Sequence, residues 1–547
     1  MPGPRVETAA APVHPADPDQ TAALTFIAED FGVPLPTGGQ LEWLDVDADQ
    51  DMDFLLIDGS VKLYENVGGT YNEATGAGLG MTATAHYVTD LNRDNKIDIM
   101  FINDRLIKVA YNNGDKTFTV VDTGIELEWD GAPPLYCYDV DGDTDLDIVT
   151  RPTSSFYAFI PSTRFGTTES ISYPSEFTFM SFENLDNSLV LDFFLVYTDN
   201  AGYSVYSTSM TSGLVYDMTG LASTFNPAQM EVRWSDVDLD GDLDLFARTT
   251  AGWRFFMNNY SRNGTVQLSY SASFPNSVSG YAAIGDLNSD GKPDFVVTNS
   301  ATNKLDVWRN QSSFENPLFV LDHSIPVTSF SKLYILDMDG AAGADIVSHQ
   351  KIYKNTLTYS QLSPPPSTPT GLSCLYVGDR LYLGWNQTAP GHQYRYEVFK
   401  DGEMIVSSES ADSGKPLRLQ KAPGVQTTTV ILSPLPPGDY TFRVQAVDAS
   451  FRGSPFSAVK GVEVPVGLES VPTFSVYPNP ASDDLVITGQ AAGDLLIRDG
   501  LSRPVFRGSL DAESPLKLSV ADWPAGLYIV DFESGGNRRL QKLFITR

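Results

Sequence analysis

Nine consecutive residues, Asp236-Val237-Asp238-Leu239-Asp240-Gly241-Asp242-Leu243-Asp244, place carboxylates at relative positions 1, 3, 5 and 9. Four such groups in one short span form a hard, strongly charged set of oxygen donors. Gly241 at position 6 lets the backbone turn sharply and aim a carbonyl inward. Many oxygens on a flexible loop suit calcium rather than a softer metal. The apolar run Leu245-Phe246-Ala247 follows at once, so the loop leads directly into a buried element.

The pattern recurs. It begins at Asp45, Asp90, Asp139, Asn184, Asp236, Asp286 and Asp337, at intervals of 45, 49, 45, 52, 50 and 51 residues. The complete ligand sets are Asp45, Asp47, Asp49 and Asp53; Asp90, Asn92, Asp94 and Asp98; Asp139, Asp141, Asp143 and Asp147; Asp236, Asp238, Asp240 and Asp244; and Asp286, Asn288, Asp290 and Asp294. The fourth copy, Asn184, Asp186, Ser188 and Asp192, has only two carboxylates, and the seventh, Asp337, Asp339, Ala341 and Asp345, lacks its third ligand. Five occupied calcium sites are therefore expected, with the fourth and seventh copies weak. Position 6 is Gln50, Asn95 and Thr144 in the first three copies. Asparagine tolerates a left-handed backbone there; Gln and Thr do so less readily. The ions are expected to be structural, because four unneutralised carboxylates repel one another and a cation turns that repulsion into a cross-link. Catalysis would call for an open coordination position beside an acid or base, and no motif marks one.

Strands must position these loops. Two residues before each first ligand stand Trp43, Val88, Cys137, Phe182, Trp234, Ile284 and Ile335, and pairs such as Phe54-Leu55, Ile148-Val149 and Ile346-Val347 follow position 9. Each loop thus joins two buried neighbours in one sheet. A third strand ends in an Asn-containing turn, as in Leu63-Tyr64-Glu65-Asn66 and Val307-Trp308-Arg309-Asn310, and better-kept copies add a fourth, such as Thr117-Phe118-Thr119-Val120. Seven units of this size predict a seven-bladed β-propeller of four-stranded blades over residues 23–362. An EF-hand or dockerin would need an acidic residue at position 12 and a flanking helix, whereas position 12 is Thr150, Ala247 and Val297 in three of the best copies. Solvated acidic turns and two smaller propellers both fit the unbroken spacing less well.

Asp286-Leu287-Asn288-Ser289-Asp290-Gly291-Lys292-Pro293-Asp294 resembles the calcium loop of FG-GAP/VCBS-type repeats, found in integrin-alpha-like propellers and many bacterial surface proteins. The resemblance covers about residues 24 to 362. The namesake Phe-Gly and Gly-Ala-Pro elements are poorly kept, and Phe31-Gly32-Val33-Pro34 is the nearest echo. The resemblance implies a ring closed by a strand that precedes the first unit and joins the last blade. Leu24-Thr25-Phe26-Ile27 is the segment for that closure.

The chain has 547 residues, 42% hydrophobic and 19% charged, a composition that folds and that allows roughly three or four domains. With 69 acidic against 36 basic residues, the net charge of −33 argues against nucleic acid, whose affinity rests largely on Lys and Arg. The two cysteines, Cys137 and Cys374, lie in alternating apolar stretches and read as small hydrophobes, not as a disulfide framework. No run of 18 apolar residues predicts a transmembrane helix. Residues 1–22 are rich in Ala and Pro without an apolar core, so they read as a flexible segment and not as a secretory signal.

The Pro-rich stretch 363–369 reads as a stiff linker. Residues 370–466 resemble a fibronectin type III sandwich, with Trp385 in the core and Tyr440 as the tyrosine corner. Residues 467–547 form a further small β-sandwich. Its Tyr477-Pro478-Asn479-Pro480 start, its Pro524-Ala525-Gly526-Leu527-Tyr528 strand and its basic-apolar tail resemble the type A C-terminal sorting domain of the type IX secretion system of Bacteroidetes-type bacteria. That resemblance implies contact with the secretion machinery, export across the outer membrane, and release or attachment at the surface.

The expectation is thus an all-β protein, a seven-bladed β-propeller followed by two β-sandwich domains, secreted or held on the cell surface. Its propeller would recognise a glycan or a protein on a loop-lined face. A calcium-dependent polysaccharide lyase or hydrolase is the rival reading, and a purely architectural surface component the third. Against an enzyme, His14, His86, His323, His349 and His392 form no recognisable triad, metal motif or nucleophile elbow. No carboxylate pair for glycoside hydrolysis can be singled out among so many calcium-type aspartates, so no catalytic residue is named.

Overall fold

A computed structural model describes most of the chain between Leu24 and Ile545; residues 1–23 and 546–547, the stretches 128–134, 140–143, 161–176, 186–191, 198–202, 208–214, 218–230, 271–279, 358–363, 419–424 and 465–473, and shorter loop segments lie outside the described residues. The flexible segment expected over 1–22 falls outside them. Every named element is a β-strand. No helix among the described residues is long and apolar enough to cross a membrane. The chain divides into two compact units, Met1–Val462 and Glu463–Arg547.

In the first unit seven small antiparallel sheets follow one another, six with their strands in chain order and the seventh with the N-terminal strand added at its edge. The first contains Gln40–Leu44, Asp53–Ile57, Val61–Val67 and Thr70–Glu73, and the second Ala85–Thr89, Asp98–Asn103, Leu106–Asn112 and Phe118–Glu126. The third begins with Leu135–Tyr138 and Asp147–Thr153, and the fourth with Phe177–Glu183 and Asp192–Tyr197. The fifth holds Val232–Ser235, Asp244–Thr249, Gly252–Asn258 and Leu268–Tyr270, and the sixth Ala282–Gly285, Asp294–Asn299, Lys304–Asn310 and Phe319–Pro326. The seventh combines Leu333–Leu336, Asp345–Ser348 and Lys351–Asn355 with Phe26–Asp30, which pairs antiparallel with Lys351–Asn355. The N-terminal strand therefore joins the last sheet, as the Leu24-Thr25-Phe26-Ile27 run suggested.

The register explains the loops. The ninth loop position pairs with the residue just before the first: Leu44 with Asp53, Thr89 with Asp98, Ser235 with Asp244, Gly285 with Asp294 and Leu336 with Asp345. Where its side chains are described, the second strand of a sheet is buried on both faces because neighbouring sheets cover both. Leu55 and Ile57 face Val88, Ile99 and Phe101 of the second sheet. Phe246 and Phe255 face Phe295 and Phe319 of the sixth, and Val296 and Val307 face Leu333 and Ile346 of the seventh. Trp43, Phe54 and Tyr71 of the first sheet pack with Tyr334, Leu336 and Val347 of the seventh, so the end of the series packs on its beginning. Cys137 is buried between the second and third sheets, and burial pushes its thiol pKa up.

Residues 373–464 form two sheets. One orders Ser373–Val377, Arg380–Gly384 and Thr429–Leu432; the other orders Glu403–Val406, Gln393–Lys400, Gly438–Val447 and Lys460–Val464. Trp385 is buried against Tyr394, Tyr396 and Phe442. The Tyr440 hydroxyl donates to Pro436 O at 2.6 Å. The second unit repeats this plan. It has a three-stranded and a four-stranded sheet, a core that includes Leu485, Ile497, Val530 and Leu543, and a Tyr528 hydroxyl donating to Pro524 O at 2.8 Å.

Candidate metal centres

The first acid of each loop ties the loop to itself. Asp45 Oδ1 accepts the Asp49 N–H and Oδ2 the Gln50 N–H (3.1 and 3.0 Å). Asp90 does the same for Asp94 and Asn95, Asp236 for Asp240 and Gly241, and Asp286 for Asp290 and Gly291. Asp139 Oδ2 accepts the Thr144 N–H at 3.0 Å. The fifth position continues the chain: Asp49, Asp94, Asp240 and Asp290 each accept the N–H two residues on. These bonds need a left-handed backbone at position 6, and φ there is 80° at Gln50, 62° at Asn95, 75° at Thr144, 92° at Gly241 and 82° at Gly291. Position 4 is left-handed as well, at Ala48, Arg93, Leu239 and Ser289. Four unrelated side chains share that conformation, which costs on the order of 1–2 kcal/mol each.

The ninth position holds the sheet. One oxygen of Asp53, Asp98, Asp244, Asp294 and Asp345 accepts the position-2 N–H, from Val46, Leu91, Val237, Leu287 and Met338, at 2.9–3.0 Å. The other oxygen accepts the N–H of an asparagine at the end of the third strand: Asn66, Asn112, Asn258, Asn310 and Asn355. Four of these asparagines reach across to the preceding sheet. Asn112, Asn258, Asn310 and Asn355 Nδ2 donate to Val46 O, Leu185 O, Val237 O and Leu287 O at 2.7–2.9 Å. The sequence hinted at this only through the Asn-containing turn. Asn66 departs from the rule, since its amide stays within its own sheet near Met52 O.

The donor set fits a hard cation. Carboxylate oxygens of Asp45, Asp47 and Asp49 lie within 4.8 Å of one another, as do those of Asp236, Asp238 and Asp244. In the second and sixth loops Asn92 and Asn288 replace the third-position acid, and their Oδ1 atoms accept the Asp94 and Asp290 N–H. Burial first, and then neighbouring carboxylates, raises the pKa of these acids. Asp45 and Asp90 are pushed up to about 6, Asp53 and Asp98 to about 7, and Asp286 to about 8. Asp236, Asp244 and Asp294 are driven well above the carboxylate range. Grouped oxygens that resist carrying their charges could hold a cation that offsets them. Hard oxygen ligands are of the kind calcium takes, and the acids at positions 1, 3, 5 and 9 would be its holders. Each carboxylate oxygen has two lone pairs, so accepting an N–H leaves capacity for a metal. Two lysines take up part of the charge: Lys116 Nζ lies 3.0 Å from Asp47 and Lys96 Nζ 2.6 Å from Asp94.

Asp141, Asp143, Asp186 and Asp339, together with the side chain of Asp192, fall outside the described residues. In the third loop Asp139 and Asp147 are placed. The seventh loop keeps the ninth-position bonds of Asp345 although Ala341 removes a ligand. His86 Nε2 lies 3.1 Å from Glu42 Oε1 between the first and second sheets.

A family model described as FG-GAP-like repeat matches residues 90–150 and 236–297. A model described as secretion system C-terminal sorting domain matches residues 475–546. No curated protein matches the chain. Among solved structures it is similar to an Agrocybe aegerita lectin described as recognising non-reducing terminal N-acetylglucosamine (17% identity, 54% of this chain and 82% of that one, TM-score 0.42). It is also similar to the extracellular domain of a putative hybrid two-component system from B. thetaiotaomicron (14% identity, 80% of this chain and 57% of that one, TM-score 0.36). The sorting domain marks secreted or cell-surface proteins of Bacteroidetes and implies engagement with type IX secretion machinery.

Proposed function

We propose that the first seven sheets form a seven-bladed, calcium-stabilised β-propeller, that residues 370–466 are a fibronectin type III-like domain, and that the exported protein serves adhesion or recognition of a glycan or protein at the cell surface. The observation that carries the calcium reading is the repeated loop. Acids at fixed spacing are buried together, with carboxyls at Asp53, Asp98 and Asp286 raised to between about 7 and about 8. A fold that spends no cation on such clusters would carry their mutual repulsion unrelieved. The ion's role is structural: it draws the two strands flanking each loop together, and recognition falls to exposed loops on a rigid scaffold.

Calorimetric titration of calcium into chelator-treated full chain tests the metal. About five ions are expected, and one or none would refute the reading. A glycan array combined with reducing-end assays on the hits tests the role. Binding without turnover is expected, whereas new reducing or unsaturated ends would replace it with the lyase or hydrolase reading.

A further inference from the structure

Three acidic loops meet the second domain, the two sheets of residues 373–464, through the same atom. The N–H of the first acid is donated from Asp45 to Leu417 O (2.9 Å), from Asp90 to Glu409 Oε1 (3.1 Å) and from Asp286 to Ala449 O (3.0 Å). Each of these residues directly follows the first strand of its sheet, an edge strand whose outward N–H groups have no ladder partner. Two segments of the second domain supply the missing acceptors.

The first segment spans residues 407–418. Arg418 forms a β-bridge with Leu44, and Leu417 enters the core between the first and second sheets. Asn95 Nδ2 donates to Ser410 O at 2.6 Å. Glu409 accepts from Thr89 Oγ1, and the Arg418 guanidinium donates to Val88 O and lies 5.6 Å from the centre of the Tyr87 ring. Glu409 and Arg418 pair at 2.9 Å, both almost fully buried. The second segment is 447–452, where the Ser450 hydroxyl donates to Asp286 O at 3.0 Å and Asp448 pairs with Arg452 at 2.8 Å. Both acids thus arrive beside a loop acid already neutralised by an arginine. That allows close approach without adding net charge to the cluster.

We propose that cation binding in the loops beginning at Asp45, Asp90 and Asp286 and docking of the second domain are one coupled equilibrium. This rests on the calcium reading. The main chain of the first acid fixes where both its carboxylate oxygens point, and the second domain fixes that main chain. A cation that holds the loop holds the seat for the domain, and by linkage the docked domain tightens the cation by the same factor.

Two measurements on the full chain test this with calcium as the probe. Hydrogen exchange of 407–418 and 447–452 should speed up at least about fivefold in chelator, while the Trp385 core strands stay protected. The double variant Glu409→Ala/Arg418→Ala removes both charges together, so neither is left buried alone. Calcium should bind it about fivefold or more weakly. If that variant fails to fold, Ser450→Ala and the wild-type exchange decide. Calcium that binds with unchanged exchange in both segments and unchanged affinity in the variants overturns the coupling and leaves the calcium reading intact. A full chain that binds no calcium overturns both.

Discussion

Replacing Asn310 with Ala tests whether an asparagine latch holds neighbouring sheets together. Asn310 is fully buried. Its Nδ2 donates to Val237 O of the fifth sheet at 2.8 Å and to Pro293 O at 3.2 Å, and its Oδ1 accepts the Ser312 N–H at 2.8 Å. Truncation removes these bonds from two carbonyls and a buried N–H, and a buried group left unpaired costs about 1–3 kcal/mol. A net loss of about 3 kcal/mol is a reasonable centre. A repeat region of roughly 340 residues unfolds with an entropy of about 0.7 kcal/mol/K, so its Tm should fall by about 4 °C. Asn66→Ala is the internal control. Its Oδ1 likewise accepts a backbone N–H, from Gly69 at 2.8 Å, but its Nδ2 contacts are longer, 3.4 Å to Met52 O and 3.5 Å to the Tyr71 hydroxyl, and none crosses to another sheet. It should shift Tm by about a third as much. Differential scanning calorimetry, with and without chelator, reads both. Equal shifts for the two variants, or an Asn310→Ala shift that vanishes in chelator, would refute a latch that acts independently of the metal.

Thr144→Gly should stabilise the chelated protein by about 1 kcal/mol, because a β-branched residue at φ 75° is strained where glycine is not; an unchanged or lower Tm counts against it. The chelated protein should also lose stability as pH rises from about 4 to about 8. The loop acids have raised pKa values in the fold, so the folded state holds protons that the unfolded chain has already released. Calcium should flatten that slope, and thermal melts at pH 5 and pH 8 would contradict the assignment if chelated protein were the more stable at pH 8. Tyr528→Phe should cost the transition of residues 463–547 about 1 kcal/mol by removing the bond to Pro524 O. An unmoved transition would mean that this corner contributes nothing.

The repeat was legible because its ligands keep one rigid spacing, and the strands were legible because both of their faces are apolar. The left-handed position 6 was legible from Gly241, Gly291 and Asn95, and it holds even where Gln50 and Thr144 occupy it. Position 4 was not, since Ala48, Arg93, Leu239 and Ser289 share no chemistry; the backbone imposes that conformation on whatever side chain is there. The latch escaped because its asparagines stand at varying distances after the ninth acid, from ten residues at Asn355 to sixteen at Asn310. The seat of the second domain escaped for a different reason. Glu409 and Thr89 are 320 residues apart, and nothing around Ser407-Ser408-Glu409-Ser410 distinguishes it from a solvated turn.

On the calcium reading, the seventh loop separates two jobs that the other copies would combine. Ala341 has taken away a ligand, yet Asp345 still accepts from Met338 N and Asn355 N, and Asn355 still reaches Leu287 O. If the ninth acid existed only to hold an ion, a loop short of ligands would have no reason to bury it. Its two bonds satisfy buried N–H groups that the fold would otherwise leave unpaired. On the calcium reading, positions 3 and 5 answer to the metal and to bonds within their own loop, whereas position 9 is bound to the fold. Substituting Asp345 should therefore cost stability equally in calcium and in chelator, and substituting Asp238 should cost it in calcium alone.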